Sequence, residues 1–179
     1  MRHDPLANPD QLIRRVYAYV AYRVSDRAEV EDIVGDVFER ALRYRASFDR
    51  SRGEPIQWIL GIARRCVDDA RAAQATAFPI GEHEIEPPSA EDLHGEVVRR
   101  LTLAAAIEEL DERDRDLISL RYGADLTARQ IGELLNLRTN AVEVALHRAL
   151  SRLRGAIGES DGETRVRAVD PAPGISGSS

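Results

Sequence analysis

The chain has 179 residues, of which 43% are hydrophobic, enough for one ordinary domain or two small ones. Residues 1–10 are polar, and no apolar run approaches the roughly 20 residues that a membrane helix needs. We therefore expect no secretion signal and no membrane insertion. A single cysteine, Cys66, excludes an intramolecular disulfide and a Cys-rich zinc site, so the expected location is the cytoplasm.

The net charge of −6 conceals a strong segregation of charge along the chain. Residues 26–40 carry six acids against two arginines, whereas residues 41–75 carry seven arginines against four acids. Residues 76–96 then hold six acids and no arginine, and residues 137–157 hold four arginines and one acid. The two basic blocks predict two contacts with nucleic acid, and the acidic blocks predict surfaces for something basic.

Three helices are predicted over residues 1–75. Apolar residues recur there at helical spacing, without the sustained alternation that would indicate strands. Asp26 can cap the second helix, and Pro55 lies near the start of the third. The predicted inward-facing residues are Leu12, Val16, Tyr19, Val20, Val30, Ile33, Val34, Val37, Phe38, Ala41, Ile56, Ile59, Leu60, Ala63 and Val67. Together they predict a compact helical domain.

The remainder of the chain divides into three parts. Residues 76–95 lack periodicity and contain several prolines and glutamates, which predicts a linker. Helical periodicity returns over residues 96–157 and predicts a second helical domain. Residues 158–179 combine Gly, Ser, Pro and charge, which predicts a disordered tail. The predicted fold is therefore all-α, with two small helical domains joined by a flexible acidic linker.

The second domain contains a helix-turn-helix pattern over residues 126–150. Thr127 and Gln130 have the spacing of a capping box, in which each satisfies a backbone N–H of the first helical turn. Asn136 lies where the chain must turn sharply, and Asn tolerates the left-handed conformation. Two short helices so joined can place the second in the major groove of DNA. An ordinary helical hairpin is the alternative, but the basic flank favours DNA binding.

Both domains carry motifs that point to one family. Ala28-Glu-Val-Glu-Asp-Ile-Val-Gly-Asp-Val-Phe-Glu-Arg-Ala-Leu, then Phe48-Asp-Arg-Ser-Arg-Gly and Trp58-Ile-Leu-Gly-Ile-Ala-Arg-Arg, resembles the first conserved domain of extracytoplasmic-function sigma factors. The helix-turn-helix, which ends in the pattern Leu-x-Arg-Ala-x-x-x-Leu-Arg, resembles the second domain of that family. The resemblance covers roughly residues 10–157. An ordered pair of motifs at this separation is specific.

The resemblance implies a sigma factor that binds core RNA polymerase and directs promoter-specific initiation. Domain 2 of the family (residues 1–75 here) binds the clamp helices of the largest polymerase subunit and the −10 element. Domain 4 (residues 96–157) binds the polymerase flap and the −35 element. An anti-sigma factor is a further expected partner. Neither catalysis nor a cofactor is implied, and the histidines lack metal-ligand spacing.

The predicted polymerase site is an acidic face of the second helix. Asp32 and Asp36 are four residues apart and share that face, with Glu29 and Glu39 nearby. A merely solvated acidic face is the alternative. Gly35 stands in mid-helix where the family usually has Gln. It marks either close approach of the partner or a weaker helix.

The third helix and the loop before it form the predicted −10 site. Melting exposes unstacked bases, which need aromatic surfaces beside phosphate-binding cations. Trp58 and Cys66 are interpreted as core residues. Arg65 replaces an Asn that is common in the family, so the base preference cannot be carried over. The predicted −10 contacts are Tyr44, Phe48, Arg50, Arg52, Arg64, Arg65 and Asp69.

The predicted −35 site departs most from the family. Ala141-Val-Glu-Val-Ala stands where Thr-Val-Lys-Ser-Arg is frequent, which removes two cations and weakens phosphate binding. Glu143 can accept from a cytosine amino group or close a capping box with Asn140. We hypothesise a −35 element unlike the commonest family consensus. The predicted −35 contacts are Thr127, Arg138, Thr139, Asn140, Glu143, His147 and Arg148.

Two other classes of protein remain as alternatives. A polymerase-independent helix-turn-helix regulator would use the first domain for dimerisation or sensing and would bind duplex DNA tightly by itself. A sigma-like adaptor would associate with polymerase or an anti-sigma factor without producing promoter-dependent transcripts.

Overall fold

The structure, a computed structural model, describes the backbone of residues 4–76 and 103–167 and the side chains of residues 4–75 and 103–158. All regular elements in these ranges are helical, which confirms the predicted all-α class. Residues 77–102 lie outside the described part; they comprise the predicted linker from residue 77 onward and the first residues of the predicted second domain. We call residues 4–76 the first unit and residues 103–167 the second unit.

The first unit contains three helices in the predicted order. They are α1 (Pro9–Ala21), α2 (Arg27–Tyr44) and α3 (Pro55–Thr76). Asp26 caps α2 as predicted, accepting a hydrogen bond from the backbone N–H of Glu29 at 2.8 Å. Two 3₁₀ turns, Arg45–Ser47 and Arg50–Arg52, connect α2 to α3. The predicted inward-facing residues are buried, apart from Val34 and Phe38, which are half-buried.

The second unit is built from four helices and a π-helical turn. The described part of α4 covers residues 103–108. It is followed by α5 (Glu112–Ile118), the π-helical turn Ser119–Gly123, α6 (Ala128–Leu135) and α7 (Thr139–Arg167).

The helix-turn-helix is formed by α6 and α7. The predicted capping box between Thr127 and Gln130 is present, and Asn136 adopts the left-handed conformation, with φ 56° and ψ 46°. The turn also depends on Gly132, because a Cβ atom at this position would lie 2.7 Å from the carbonyl oxygen of Leu137. Local sequence signals thus specify both ends of the turn.

Helix α7 extends into the residues predicted as the tail, whose disorder stays a prediction. Helix α7 continues to Arg167, although the tail was predicted to begin at residue 158. Glycine weakens a helix without ending it. The first proline after Gly158 is Pro171, so the sequence contains no strong helix breaker in this stretch. Residues 168–179 lie outside the described part.

The two units pack against each other around a shared core. Leu117, Leu120, Leu126 and Ile131 of the second unit belong to the same buried cluster as the inward faces of α1, α2 and α3. A smaller cluster lies between α4, α5 and α7. The predicted arrangement of two domains joined by a flexible linker contained no such contact. We call this contact between the units the seam.

Candidate functional site

The acidic face of α2 is only partly available to a partner. Asp32, Asp36 and Glu39 are exposed, whereas Glu29 is half-buried. Glu39 is hydrogen-bonded to Arg43 at 2.6 Å, and Glu29 accepts a hydrogen bond from the amide of Gln74 at 2.7 Å. Within the described ranges Asp32 and Asp36 form no ion pair. These two carboxylates are therefore available to pair with basic side chains of a partner protein.

The loop between α2 and α3 exposes aromatic rings beside arginines. Tyr44 is 53% exposed. Phe48 packs edge-on against Trp58, with ring centroids 5.7 Å apart. Trp58 is half-buried and packs against the core, which agrees in part with its interpretation as a core residue. Its contact with Phe48 also adds Trp58 to the aromatic surface of the loop, which sequence analysis missed because periodicity alone assigns Trp58 to the interior.

The arginines of this loop are held outward by a local turn. Arg50 and Arg52 lie in the second 3₁₀ turn and are exposed. Asp49 caps that turn by accepting hydrogen bonds from the hydroxyl of Ser51 at 2.7 Å and its backbone N–H at 2.9 Å. These hydrogen bonds lower the pKa of Asp49. The turn therefore presents two cations next to Phe48.

The predicted −10 contacts on α3 separate into two groups. Arg65 is exposed. Asp69 is also exposed and accepts a hydrogen bond from Arg40 at 2.9 Å, which raises the pKa of the Arg40 guanidinium. Arg64 instead lies in the seam, where its Nε donates to Asp116 Oδ2 at 3.0 Å. Burial acts to lower the pKa of Arg64, but the charge of Asp116 leaves it raised.

All seven predicted −35 contacts are exposed. Thr127 lies at the N-cap of α6, Arg138 directly precedes α7, and the others lie in the first turns of α7. Because α7 begins at Thr139, Asn140 is inside the helix and is not the N-cap residue that the capping-box alternative for Glu143 requires. Val142 and Leu146 are buried, so the opposite face of α7 points outward.

A cleft of about 470 Å³ lies beside this outward face, between α7 and the start of α5. Four arginines line it, of which Arg152 is paired with Asp114. Arg113 was missed by sequence analysis because it precedes the helix-turn-helix pattern. The charged residues of the cleft are Arg113, Arg138, Arg148, Arg152, Asp111 and Asp114. Its rim is therefore suited to a phosphate backbone.

The seam contains a buried cluster of charged groups that sequence analysis did not predict. Asp116 Oδ1 accepts hydrogen bonds from the hydroxyl of Tyr19 at 2.8 Å and from Arg23 Nη1 at 2.5 Å. The Arg23 side chain is 2% exposed and also pairs with Glu112. Glu112 pairs in turn with Arg71. Burial, followed by the charge of Asp116, raises the pKa of Tyr19.

Further hydrogen bonds extend the seam in both directions. Arg15 donates to the backbone carbonyls of Ala124 at 2.6 Å and Asp125 at 3.0 Å. Gln57 donates to the carbonyl of Gln130 at 3.1 Å and to Glu133 Oε2 at 2.9 Å. The seam therefore runs from α1 to α6.

The described ranges contain no group of three or more His, Cys, Asp or Glu residues that could hold a metal ion. In the same ranges, no helix is long and apolar enough to cross a membrane. Cys66 is buried, and burial raises the pKa of its thiol.

Each of the two units matches the model of a known protein family. The model "Sigma-70 region 2" matches residues 10–76, and "Sigma-70, region 4" matches residues 100–153. The chain is 29% identical over 156 residues to the ECF RNA polymerase sigma factor SigK of Mycolicibacterium vanbaalenii, covering 83% of this chain and 79% of that protein. It is 32% identical over 166 residues to the ECF RNA polymerase sigma factor ShbA of Streptomyces griseus, covering 85% of each.

The fold also has a solved counterpart. It is similar to the sigma factor RpoE from Bartonella quintana, determined in complex with the anti-sigma factor NepR, with a TM-score of 0.61 and 18% identity. The match covers 82% of this chain and 92% of that one. The helical architecture of the two units is therefore shared with a sigma factor of known structure.

Proposed function

Because the chain belongs to the extracytoplasmic-function RNA polymerase sigma factors of the sigma-70 family, which direct transcription initiation, we propose that three of its surfaces divide this work. The acidic face of α2 binds the clamp helices of core polymerase. The aromatic–arginine loop and α3 bind the −10 element, and the outward face of α7 binds the −35 element. The proposed domain 2 covers residues 1–75, and the proposed domain 4, which also contacts the flap, covers residues 96–157, with residues 76–95 as the linker.

The observation that carries this assignment is the outward face of α7. Exposed groups capable of base and phosphate contacts lie there at the start of the second helix of a helix-turn-helix, where such proteins reach base edges. Arg138 and Arg148 flank the face and line the adjacent cleft. A sigma factor of this kind needs neither catalytic residues nor a cofactor, and it acts where the chromosome is, in the cytoplasm.

Transcription in vitro tests the −35 assignment. Core polymerase with the full chain, on a promoter library randomised at both elements, is expected to yield promoter-specific transcripts. Arg148→Ala should weaken promoter binding and lower the slope of log affinity against log salt by about 0.9, as expected for one lost phosphate contact. Tight duplex binding without polymerase, and no promoter-dependent transcript, would instead support a polymerase-independent regulator.

For core polymerase, Asp32 and Asp36 are the proposed anchors, because the described residues leave them unpaired while Glu39 and Glu29 have partners within the chain. A charge reversal, Asp36→Arg, should lower the affinity for core polymerase more than tenfold, since like charges at an interface are strongly unfavourable. Glu31→Arg is the matched control. Glu31 is exposed on the other flank of α2 and makes only a surface ion pair with Arg27. Equal effects of the two reversals would contradict the assignment.

For the −10 element, the support is the close association of aromatic and cationic groups. Phe48, backed by Trp58, offers a ring on which an unstacked base can lie, and base–aromatic stacking is worth about 1–3 kcal/mol. Phe48→Ala should therefore reduce open-complex formation at least severalfold. Phe48→Tyr keeps a ring and should retain most of the activity. An equal loss in both variants would argue against stacking.

An anti-sigma factor is the remaining proposed partner. The solved counterpart RpoE binds one, and a protein that covers Asp32 and Asp36 would block core polymerase. Competition between such a protein and core polymerase is the expected behaviour, and Asp36→Arg should weaken both complexes. Binding that is unaffected by core polymerase would place the partner elsewhere on the chain.

A further inference from the structure

Val144 lies at the centre of the outward face of α7. It is 44% exposed and is two residues from each of the buried residues Val142 and Leu146, so it points away from the core. A lone exposed valine needs no explanation by itself. This one is surrounded by exposed polar groups, with Asn140 one turn before it and Arg148 one turn after it.

The surroundings of Val144 fit DNA as the occupant. Val144 lines the cleft together with Arg113, Arg138 and Arg148, which complement the phosphates on either side of a groove. The small residue Ala141, exposed one turn earlier, leaves room for close approach of a base edge. An apolar partner is not expected here, because it would leave these arginines without solvent or counter-charge.

We propose that Val144 reads the C5 methyl group of a thymine in the −35 element, a role that rests on the proposed function of this face. A valine side chain has no hydrogen-bonding group, so it cannot select a purine through N7 or O6. In the major groove, thymine alone among the four standard bases presents a methyl group. Val144, which stands where the family pattern has Ser, therefore favours a thymine.

Removal of that methyl group is the test. The −35 sequence preferred by the full chain with core polymerase is first selected from a random library, and each thymine is then replaced by deoxyuridine. One replacement is expected to weaken binding about three- to fourfold, the value of one buried methyl group. In Val144→Ala that loss should disappear, whereas Val144→Thr, which keeps one methyl group, should retain part of it. Ile13→Ala, on the exposed face of α1, is the control and should behave as wild type.

The possible outcomes distinguish a failure of the role proposed for Val144 from a failure of the proposed sigma-factor function. Promoter-specific transcripts without a methyl effect at any thymine would overturn the role of Val144 and leave the sigma-factor function intact. A methyl effect that is equal in wild type and Val144→Ala would assign the thymine to another residue. The absence of promoter-dependent transcripts would overturn both.

The seam carries a second inference, from independent observations. Arg23 and Asp116 come from different units and are both buried, with side chains 2% and 9% exposed. The Nε atom of Arg23 is buried without a hydrogen-bond partner among the described residues. Buried ion pairs give little net stability because both charges lose water, yet removal of one partner is strongly unfavourable. A contact of this kind fixes one arrangement without making it very stable.

The closed arrangement does not suit a promoter. Elements centred near −10 and −35 are about 25 base pairs apart, which is roughly 85 Å along DNA at 3.4 Å per pair. In the closed chain α3 and α6 touch, since a Cβ atom on Gly61 would lie 3.8 Å from Leu134 Cδ1. The proposed −10 contact Arg64 is also occupied by Asp116. The two units must therefore separate before both elements are bound.

We infer that the seam is a self-inhibitory latch, centred on Asp116, that keeps the free chain closed until core polymerase and promoter open it. This inference also rests on the proposed function. In Asp116→Ala, Arg23 and Arg64 lose their shared acceptor, and the buried Arg23 gains water in its place only if the units separate. The latch then predicts a shift of the free chain to an open form.

Distance measurement in the free full chain tests the latch. Dyes on Ala28→Cys and Gly155→Cys, in a Cys66→Ala background, report the separation of the units. Asp116→Ala should raise the ratio of open to closed chains more than tenfold, as expected for a broken buried pair. The exposed Glu109→Ala is the matched control. Retained helicity by circular dichroism shows that the units are folded, and an unchanged distance in a folded Asp116→Ala chain would overturn the latch.

A reversible lock provides a test that does not depend on Asp116. Gly61→Cys and Leu134→Cys, in the same background, can be joined across the seam by a short cleavable bis-maleimide. The locked chain should lose promoter-specific transcription at least tenfold, and cleavage of the linker should restore it. Transcription by the locked chain at the unlocked level would overturn the latch. Transcription by the unlocked chain shows that the underlying function is intact.

Discussion

Arg64 and Arg65 are neighbours in the sequence but lie in opposite environments. Arg64 is half-buried in the seam and hydrogen-bonded to Asp116, whereas Arg65 is exposed on the outer surface of α3 and, among the described residues, has no ion pair. The same contrast separates Arg23 in the seam from Arg138 and Arg148 on the outward face of α7. A basic stretch therefore does not by itself mark a DNA-binding surface. Arg23 and Arg64 have fixed partners across the seam, whereas exposed arginines without an ion pair are available to phosphates.

The largest expected effect lies in the seam. A Cβ atom on Gly123 would lie 2.9 Å from the carbonyl oxygen of Ala18 and 3.1 Å from Tyr19 Cα. Because these are backbone atoms of a packed helix, Gly123→Ala should cost about 1–3 kcal/mol, as overpacking does. Urea unfolding, with the dye-labelled distance as a second measurement, reports the loss.

Gly155→Ala is the matched control for that substitution. Gly155 lies in α7 with nothing within 4 Å of a Cβ atom. The substitution should stabilise the chain by about 1 kcal/mol through helix propensity alone. If Gly123→Ala behaves like Gly155→Ala, the seam is not closed in solution and the contrast between seam and outer face fails.

The next effect concerns the two adjacent arginines. Arg65→Ala should weaken binding of the −10 single strand by the holoenzyme about three- to tenfold and lower the salt slope by about 0.7. It should leave the inter-unit distance of the free chain unchanged. Arg64→Ala should instead increase the open fraction of the free chain. Equal effects of the two variants on inter-unit distance would remove the distinction between them.

Local features of this fold were predictable from sequence, and the long-range ones were not. The Asp26 cap, the Thr127–Gln130 capping box and the left-handed Asn136 depend on residues within a few positions, so the sequence pattern contains them. The partners of Asp116 are 52, 93 and 97 residues away in the chain. Asp116 also lies in a stretch of alternating charge, a pattern typical of a solvent-exposed helix. Nothing in a single sequence indicates that it is buried.

In the candidate site, too, the exposure of a helix face was predictable from sequence, but the pairing of individual side chains was not. Exposure of the −35 contacts followed from the periodicity of α7, because its buried residues define the opposite face. Periodicity could not separate Arg64 from Arg65, nor Glu39, which has Arg43 as a partner, from Asp36. Those distinctions depend on packing between helices and on side-chain pairing.

Gly35 offers a smaller effect on the outer surface. No atom lies within 4 Å of a Cβ at this position, so nothing in the described chain requires glycine there. Gly35→Ala should stabilise the free chain by about 1 kcal/mol. Its affinity for core polymerase then decides between the two explanations of this glycine. Lower affinity indicates close approach of the partner, and unchanged affinity indicates only a weaker helix.

Acid provides the smallest and most local effect on the seam. Hydrogen bonds from Gln57 and Arg129 lower the pKa of Glu133 below its ordinary value of 4.5. Only the Gln57 contact crosses the seam, whereas Arg129 lies on α6 with Glu133. The part of the lowering that is due to Gln57 favours closure above the ordinary pKa. That contribution is lost as the pH falls through the lowered value.

The inter-unit distance should therefore increase as the pH is lowered from about 6 to about 3, with part of the change due to Glu133. Glu54, Glu112 and Asp116 are further carboxyl groups in or beside the seam, so the informative quantity is the difference between wild type and Glu133→Gln. Gln keeps an oxygen that accepts from Gln57 but does not titrate, so the variant should open over a narrower pH range. Glu39→Gln, on the outer face of α2, should match wild type. Identical acid profiles for wild type and Glu133→Gln would show that the Gln57–Glu133 contact does not contribute to closure, and the latch would then depend on Asp116 and its arginines alone.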